Sequence, residues 1–393
     1  MKRRTFLKNT GLASAAMWAP SFLQSIPNRT NGKILIVVQL SGGNDGLNTI
    51  VPYRNDKYYE LRPDIAIKEN EVLRVSDELG FNPAMGDVQA LFDEGYVSIL
   101  NNVGYPNPNR SHFRSMDIWQ TASDSNEYLT TGWLGRYLDS QCAGCDSPHA
   151  ALEFGQGLSL ALKGHEKQGF AINDLQQMER TSKNPLLRYL GQQDQHSHEH
   201  EEAAYLYKTL LETQESTNYL LEQSSGRRTR ANFPATRFGK DLRQVVELIL
   251  AGNNSKIYYV SLGGFDTHAN QNGPQGRLLS IYAEGMKALA DELSKHGLWQ
   301  DTLVMTFSEF GRRVAQNGSR GTDHGAASNL YLMGGNLKRA GFYNNGPNLT
   351  DLDKGDLKYE LDFRQVYANV LNNWLDAERT DILGGRFADL GII

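Results

Sequence analysis

The chain has 393 residues, a formal net charge of -5 at neutral pH, 39% hydrophobic and 22% charged residues. This ordinary globular composition with an acidic balance argues against a general nucleic-acid binder or a protein drawn to anionic membranes.

In chain order, Lys2-Arg3-Arg4-Thr5-Phe6-Leu7-Lys8 precedes a small, apolar stretch from Gly11 to Leu23, and no acidic residue occurs before Asp45. Paired arginines followed by Phe-Leu-Lys resemble a twin-arginine export signal over residues 1–30. The apolar stretch is too short, and too interrupted by Pro20, to span a bilayer. Loss of Lys2, Arg3, Arg4 and Lys8 with that segment leaves the mature chain still more acidic. The expectation is an exported protein of the periplasm, envelope or extracellular space, with the twin-arginine machinery as partner and no transmembrane helix in the mature chain.

Roughly 360 residues then remain, enough for one large α/β domain with an insertion. Short, nearly continuous apolar runs predict buried strands at Lys33–Leu40, Val97–Val103, Ile257–Leu262, Leu303–Phe307 and Asn329–Met333. Between the third and fourth, Leu279, Tyr282, Met286, Leu289 and Leu293 recur at helical spacing over Gly276–His296, which predicts a parallel crossover. Cys142 and Cys145, the two cysteines of the chain, read as a small local disulfide in an exported protein; a dithiol redox centre is the alternative. The stretch at about 184–230 is polar and lacks a strand signal, and is read as an exposed helical insertion. Its His196, His198 and His200 alternate and do not share a helix face, so the stretch reads as a solvated charged surface.

The unusual residues fall after the strands. Ser41-Gly42-Gly43-Asn44-Asp45-Gly46 follows the first, Phe265-Asp266-Thr267-His268 the third and Ser308-Glu309-Phe310-Gly311-Arg312 the fourth. Ligands of open α/β sheets bind beyond the carboxyl ends of strands, so these segments are expected to meet in one crevice. Carboxylates with imidazoles suit a divalent cation, zinc or manganese, in one or two copies. Asp45, Asp266, His268, Asp323 and His324 are the expected ligands. Each segment also has a plain structural reading: a tight turn at Asp45, a helix cap at Asp266, a loop pair at Asp323 and His324. Ser111 stands where an N-cap opens a helix. Free amides there favour an oxyanion, with Arg110 and Arg114 as further donors; a simple capping serine is the alternative.

This order of Asp45, Ser111, Asp266 with His268, Glu309 and His324 resembles the alkaline phosphatase, sulfatase and cofactor-independent phosphoglycerate mutase superfamily. More closely, Leu40-Ser41-Gly42-Gly43-Asn44-Asp45-Gly46-Leu47-Asn48, Arg110-Ser111-His112-Phe113, Phe265-Asp266-Thr267-His268, Ser308-Glu309-Phe310-Gly311-Arg312 and Thr322-Asp323-His324-Gly325 resemble the exported bacterial family known as domain of unknown function 1501. The resemblance implies an alkaline-phosphatase-like α/β core, a mostly parallel sheet flanked by helices. It implies Ser111 as nucleophile, the five residues above together with Glu309 as metal ligands, and Asn44, Arg110, Arg114 and Arg312 as substrate-binding groups. In that superfamily an Asp-His pair usually ends the strand that here ends in Ser308-Glu309, so one imidazole is missing. The function so implied is metal-dependent hydrolysis of a phosphate or sulfate ester, on a small-molecule or glycan substrate. A non-catalytic envelope binding protein that keeps the fold is the alternative, and a Cys-x-x-Cys oxidoreductase a third.

Overall fold

A computed structural model describes residues 32–141, 148–185, 201–224 and 228–393. The expected export signal, Cys142 with Cys145, and the histidines at 196, 198 and 200 lie outside these residues.

The first strand, β1 (Ile34–Ser41), is Ile-Leu-Ile-Val-Val-Gln-Leu-Ser. Because side chains alternate across a strand, a continuous apolar run has to be covered on both faces. Ile34, Ile36, Val38 and Leu40 pack on one side with the amphipathic helices Arg237–Leu250 and Asn272–Lys295. Leu35 and Val37 pack on the other with the helices His112–Thr121, Trp133–Gln141 and Phe363–Asn369. The sheet is therefore the middle layer of three.

Along the chain its remaining strands are β2 (Val97–Gly104), β3 (Ala151–Phe154), β4 (Phe170–Ile172), β5 (Ile257–Gly263), β6 (Thr302–Phe307), β7 (Ser328–Gly334), β8 (Gly341–Phe342) and β9 (Leu361–Asp362). The order across the sheet is β8-β2-β7-β6-β1-β5-β3-β4, with β9 also on β2. The central strand β1 pairs in parallel with β5 and β6, and the helix Asn272–Lys295 makes the crossover between those two. All pairings in the sheet are parallel except those of β7, which runs antiparallel to β2 and β6. The mixed α/β fold with a mostly parallel sheet flanked by helices agrees with the sequence expectation.

The reversed strand matters for the site. Ser328, at the start of β7, lies opposite Val103 near the end of β2. The segment that precedes β7 thus reaches the same sheet edge as the segments that follow β1, β2, β5 and β6. Among the described residues no helix is long and apolar enough to cross a membrane. In the polar stretch at 184–230, Glu201–Ser224 is a helix of 24 residues.

Candidate metal centre

The loop after β1 lies against the loop after β5 because two glycines permit it. Gly42 has φ +117, and a Cβ on it would stand 2.5 Å from the Asp266 amide nitrogen; Gly43 has φ +71 and faces the Phe310 ring and Arg312. Both conformations suit glycine and neither tolerates a side chain. Arg312 then clasps the loops from inside. Its Nε donates to the Gly43 carbonyl at 2.6 Å, its Nη1 to the Thr322 carbonyl at 2.8 Å, and its Nη2 to the carbonyls of Gly42 and Phe265 and to Asp266 Oδ1 at 2.8 Å. The guanidinium is fully buried.

Asp266 Oδ1 is the point on which the site converges. Besides Arg312, it has His268 Nε2 at 3.0 Å, His324 Nε2 at 3.1 Å and His112 Nε2 at 3.4 Å. Burial pushes the Asp266 carboxyl up, but the hydrogen bond and charge of the Arg312 guanidinium outweigh it and hold the carboxyl below the usual carboxylate range.

The other nitrogen of each ring is held by an oxygen. His324 Nδ1 lies 2.8 Å from the Arg110 carbonyl, His112 Nδ1 2.8 Å from Glu309 Oε1, and His268 Nδ1 3.3 Å from Asp323 Oδ1. A carbonyl or carboxylate oxygen accepts, so each Nδ1 carries the proton and each Nε2 presents a lone pair. Two of these lone-pair atoms, His268 Nε2 and His324 Nε2, face each other at 3.0 Å beside a carboxylate oxygen. His112 Nε2 is buried without a hydrogen-bond partner. Acceptors crowded in this way repel unless a proton or cation lies among them. Ring nitrogens backed by oxygens are also the usual outer arrangement of metal-binding histidines. The ligand atoms of His112, Asp266 and His324 lie within 4.8 Å of one another. The donor set fits a divalent cation, borderline in softness, of the zinc or manganese kind.

The expected residues divide accordingly. Asp266, His268 and His324 come together. Glu309, without exposure, accepts from the Gly42 amide at 2.9 Å as well as from His112, and Asp323 holds His268, so both back the imidazoles. The Asn317 amide side chain, ahead of His268, lowers the Asp323 carboxyl. Asp45 stands elsewhere: it is buried in a two-point ion pair with Arg62, at 2.6 and 3.1 Å, and accepts from Gln271, which in turn takes a hydrogen bond from Thr322. Asn44 is buried in the same network, with Gln275 and Thr49. Three residues expected to hold substrate have other partners. Arg114 donates to the carbonyls of Asp124, Ser125 and Glu127 and lies over the Tyr128 ring; Arg110 pairs with Asp356; Arg312 is the clasp described above. Ser111 is exposed and N-terminal to the helix His112–Thr121, and its hydroxyl makes no capping bond. It is tied to the centre on both sides, through the Arg110 carbonyl on His324 and through the His112 ring, which packs 4.4 Å from that of His324.

His112 is the residue that sequence reasoning passed over. It sits within the Arg-Ser-His-Phe segment and brings a third imidazole to Asp266 from the head of a helix. Its signals were adjacency to Ser111 and its place in the Arg110-Ser111-His112-Phe113 motif; nothing in the spacing connects residue 112 with residues 266 and 309.

The fold and the geometry define a mixed α/β protein with an Asp-His cluster at the carboxyl edge of its sheet. The chain belongs to the family described as "Protein of unknown function (DUF1501)", which it matches over residues 78–373. No curated protein matches it. Solved structures similar to it include the lipoteichoic acid synthase LtaP from Listeria monocytogenes, 11% identical, covering 92% of this chain and 76% of that one at a TM-score of 0.40. The PsFucS1 sulfatase from Pseudoalteromonas sp. is 12% identical, covering 94% and 75% at 0.40. The zinc complex of the C-terminal periplasmic domain of EcEptC from Escherichia coli is 12% identical, covering 79% and 75% at 0.35.

Proposed function

We propose that the chain is an exported, metal-dependent hydrolase of phosphate or sulfate esters, with the alkaline-phosphatase type of chemistry. The observation that carries this reading is the set of three imidazoles, each backed by an oxygen at Nδ1, whose Nε2 atoms gather around Asp266 Oδ1.

His112, Asp266, His268 and His324 would hold a divalent cation, which when bound supplies Lewis acidity toward an ester oxygen and lowers the pKa of a nearby hydroxyl. Ser111 is the nucleophile in this reading. Its oxygen forms a bond to phosphorus or sulfur as the ester oxygen leaves, the serine proton ends on the leaving alcohol, and water later releases the anion and restores the hydroxyl. The first-turn amides of the helix that opens at His112 have no intrahelical acceptors and face an anion favourably. With Arg114 and Arg312 engaged by carbonyls, these amides are the main donors left to the substrate anion. Glu309, Asp323 and Arg312 keep the imidazoles and Asp266 in orientation.

The test is elemental analysis of protein matured and purified without chelators, comparing wild type with the double variant His112→Ala, Asp266→Ala. Near-stoichiometric zinc or manganese that is lost in the variant, together with ester hydrolysis lost in Ser111→Ala at unchanged metal content, is the expected result. A wild type that neither holds nor takes up metal sinks the reading, and retained hydrolysis in Ser111→Ala removes Ser111 from its role. Export is checked by changing Arg3 and Arg4 together to Lys, which should leave the precursor in the cytoplasm.

A further inference from the structure

β5 is buried from Ile257 to Val260, yet Ser261 and Gly263 at its carboxyl end are exposed, and a Cβ on Gly263 would meet nothing within 4 Å. Side chains alternate across a strand, so Ser261 lies on the face of Ile257 and Tyr259, the one covered by the helix His112–Thr121. That cover ends short of the strand's carboxyl end and leaves a recess. Polar groups surround it in a closed ring of contacts. Glu153 on β3 is in register with Tyr259, and the Tyr259 hydroxyl donates to Gln39 Oε1 at 2.5 Å. Gln39 Nε2 lies 2.7 Å from Met116 Sδ, one helical turn before Gln120. Gln120 Oε1 accepts from the Leu160 amide at 3.1 Å, and the adjacent Ser159 amide donates to Glu153 Oε2 at 2.6 Å. His112 lies one turn before Met116 on the same helix, so the recess and the candidate centre share a wall.

Two groups of the ring lack partners. Glu153 is 7% exposed, and among the described residues its Oε1 meets no donor. That oxygen lies 3.9 Å from the Cβ position of Gly155, so the carboxyl leans toward the open end. Phe154 pairs with Val260, which brings the carboxyl to the level of Ser261, about 7 Å short of the end of β5. Ser159 Oγ is buried with no partner. The titratable groups facing Glu153 are Tyr259, kept neutral by burial, and Lys163, which is exposed and forms no ion pair with it. A buried carboxyl without a cation is costly. An anion entering the recess would meet that carboxyl with no cation to receive it. An apolar group would leave Glu153 Oε1 and Ser159 Oγ unpaired. An ammonium group donates to both and supplies the missing charge.

Resting on the hydrolase reading above, we propose that this recess receives the alcohol side of the ester and that Glu153, with Ser159 Oγ, binds an ammonium group carried on that alcohol. Glu153 is the specificity-determining residue of the recess.

The experiment separates this from the hydrolase reading because it reads binding without turnover. Saturation-transfer NMR is recorded on the mature protein at a pH of about 8 with 5-aminopentan-1-ol and with hexan-1-ol, which has a methyl group in place of the ammonium. Wild type should bind the amino alcohol about tenfold more tightly than hexan-1-ol, and Glu153→Gln should remove that preference. Lowering the pH to about 5.5 should weaken wild-type binding likewise, because Glu153, pushed up to about 7 by burial, takes up a proton while the amine stays charged. Glutamine keeps the volume of the side chain, and the melting temperature of the variant verifies its fold. Equal binding of the two alcohols, no saturation of the amino alcohol, or undiminished binding in Glu153→Gln overturns the proposal. Loss of this preference alone, with Ser111-dependent hydrolysis intact, would leave the hydrolase reading standing. Binding of the amino alcohol that persists in His112→Ala, Asp266→Ala while ester hydrolysis is absent in wild type would keep the ammonium site and sink the hydrolase reading.

Discussion

Glu309 shows how one side chain can decide the shape of the centre. It has no exposure, yet it receives His112 Nδ1 and the Gly42 amide on the same oxygen, and so joins the end of β6 to the helix that begins at His112 and to the loop after β1. Glu309→Gln keeps the volume and removes the charge that fixes the His112 tautomer. Outer-shell changes of this kind cost metal affinity about 10- to 100-fold, so competition with a chromophoric chelator should show zinc affinity lowered by that factor. Unchanged affinity would mean that His112 orients itself. A second buried acid, Glu153 on β3, makes stability depend on pH instead. Burial, opposed by the Ser159 amide, raises it to about 7. The folded protein therefore holds a proton that the unfolded chain has released, and stability falls as pH rises from about 4.5 to about 7 and is level above. Glu153→Gln should flatten this slope and stabilise the protein at pH 8 by on the order of 2 kcal/mol in urea unfolding. An equal slope in both proteins would assign it to other groups.

Among the elements, the loop after β1 is the one with least room. Gly42→Ala adds a methyl against the backbone of Phe265 and Asp266 at a φ of +117. Strain of that kind costs about 1–3 kcal/mol, and relief would move the loop off Asp266. The variant should lose both stability in urea and metal content; loss of stability alone would separate the loop from the centre. The strands of this edge were legible because buried parallel strands are largely apolar on both faces, which makes β1, β2, β5 and β6 read as nearly continuous runs interrupted at Gln39, Ser98, Asn101, Asn102 and Ser261. Their carboxyl ends pointed directly to Asp266, His268 and Glu309. Strands β3 and β4 were missed, since runs of three and four residues, one of them containing Glu153, carry too little pattern. The direction of β7 was also illegible: an apolar run looks the same either way, yet its reversal is what returns Asp323 and His324 to the ligand edge. The partners of Asp45 and Arg114 depend on Arg62, Gln271 and the carbonyls at 124–127, which no local spacing announces.

For the whole molecule, the centre is a crossing point of distant chain segments. His112, Asp266 with His268, and His324 come from three parts of the sequence, and their backing groups extend the connection to Gly42 and Arg110. An ion bound there is held by the folded chain and only weakly by the unfolded one, because loop closure would have to be met again at each ligand. Binding then adds RT ln(1 + [L]/Kd) to stability, about 2.7 kcal/mol at a hundredfold excess over Kd. For a domain of this size that raises the melting temperature by a few degrees. Wild-type protein should therefore melt higher with excess zinc than after chelation. The difference should vanish in His112→Ala, whose own melting temperature should lie below that of chelated wild type, because the buried Glu309 loses the hydrogen bond from His112 Nδ1. A zinc effect that persists undiminished in the variant would locate the ion away from His112, and no zinc effect in wild type would leave the three imidazoles as a hydrogen-bonded brace between loops.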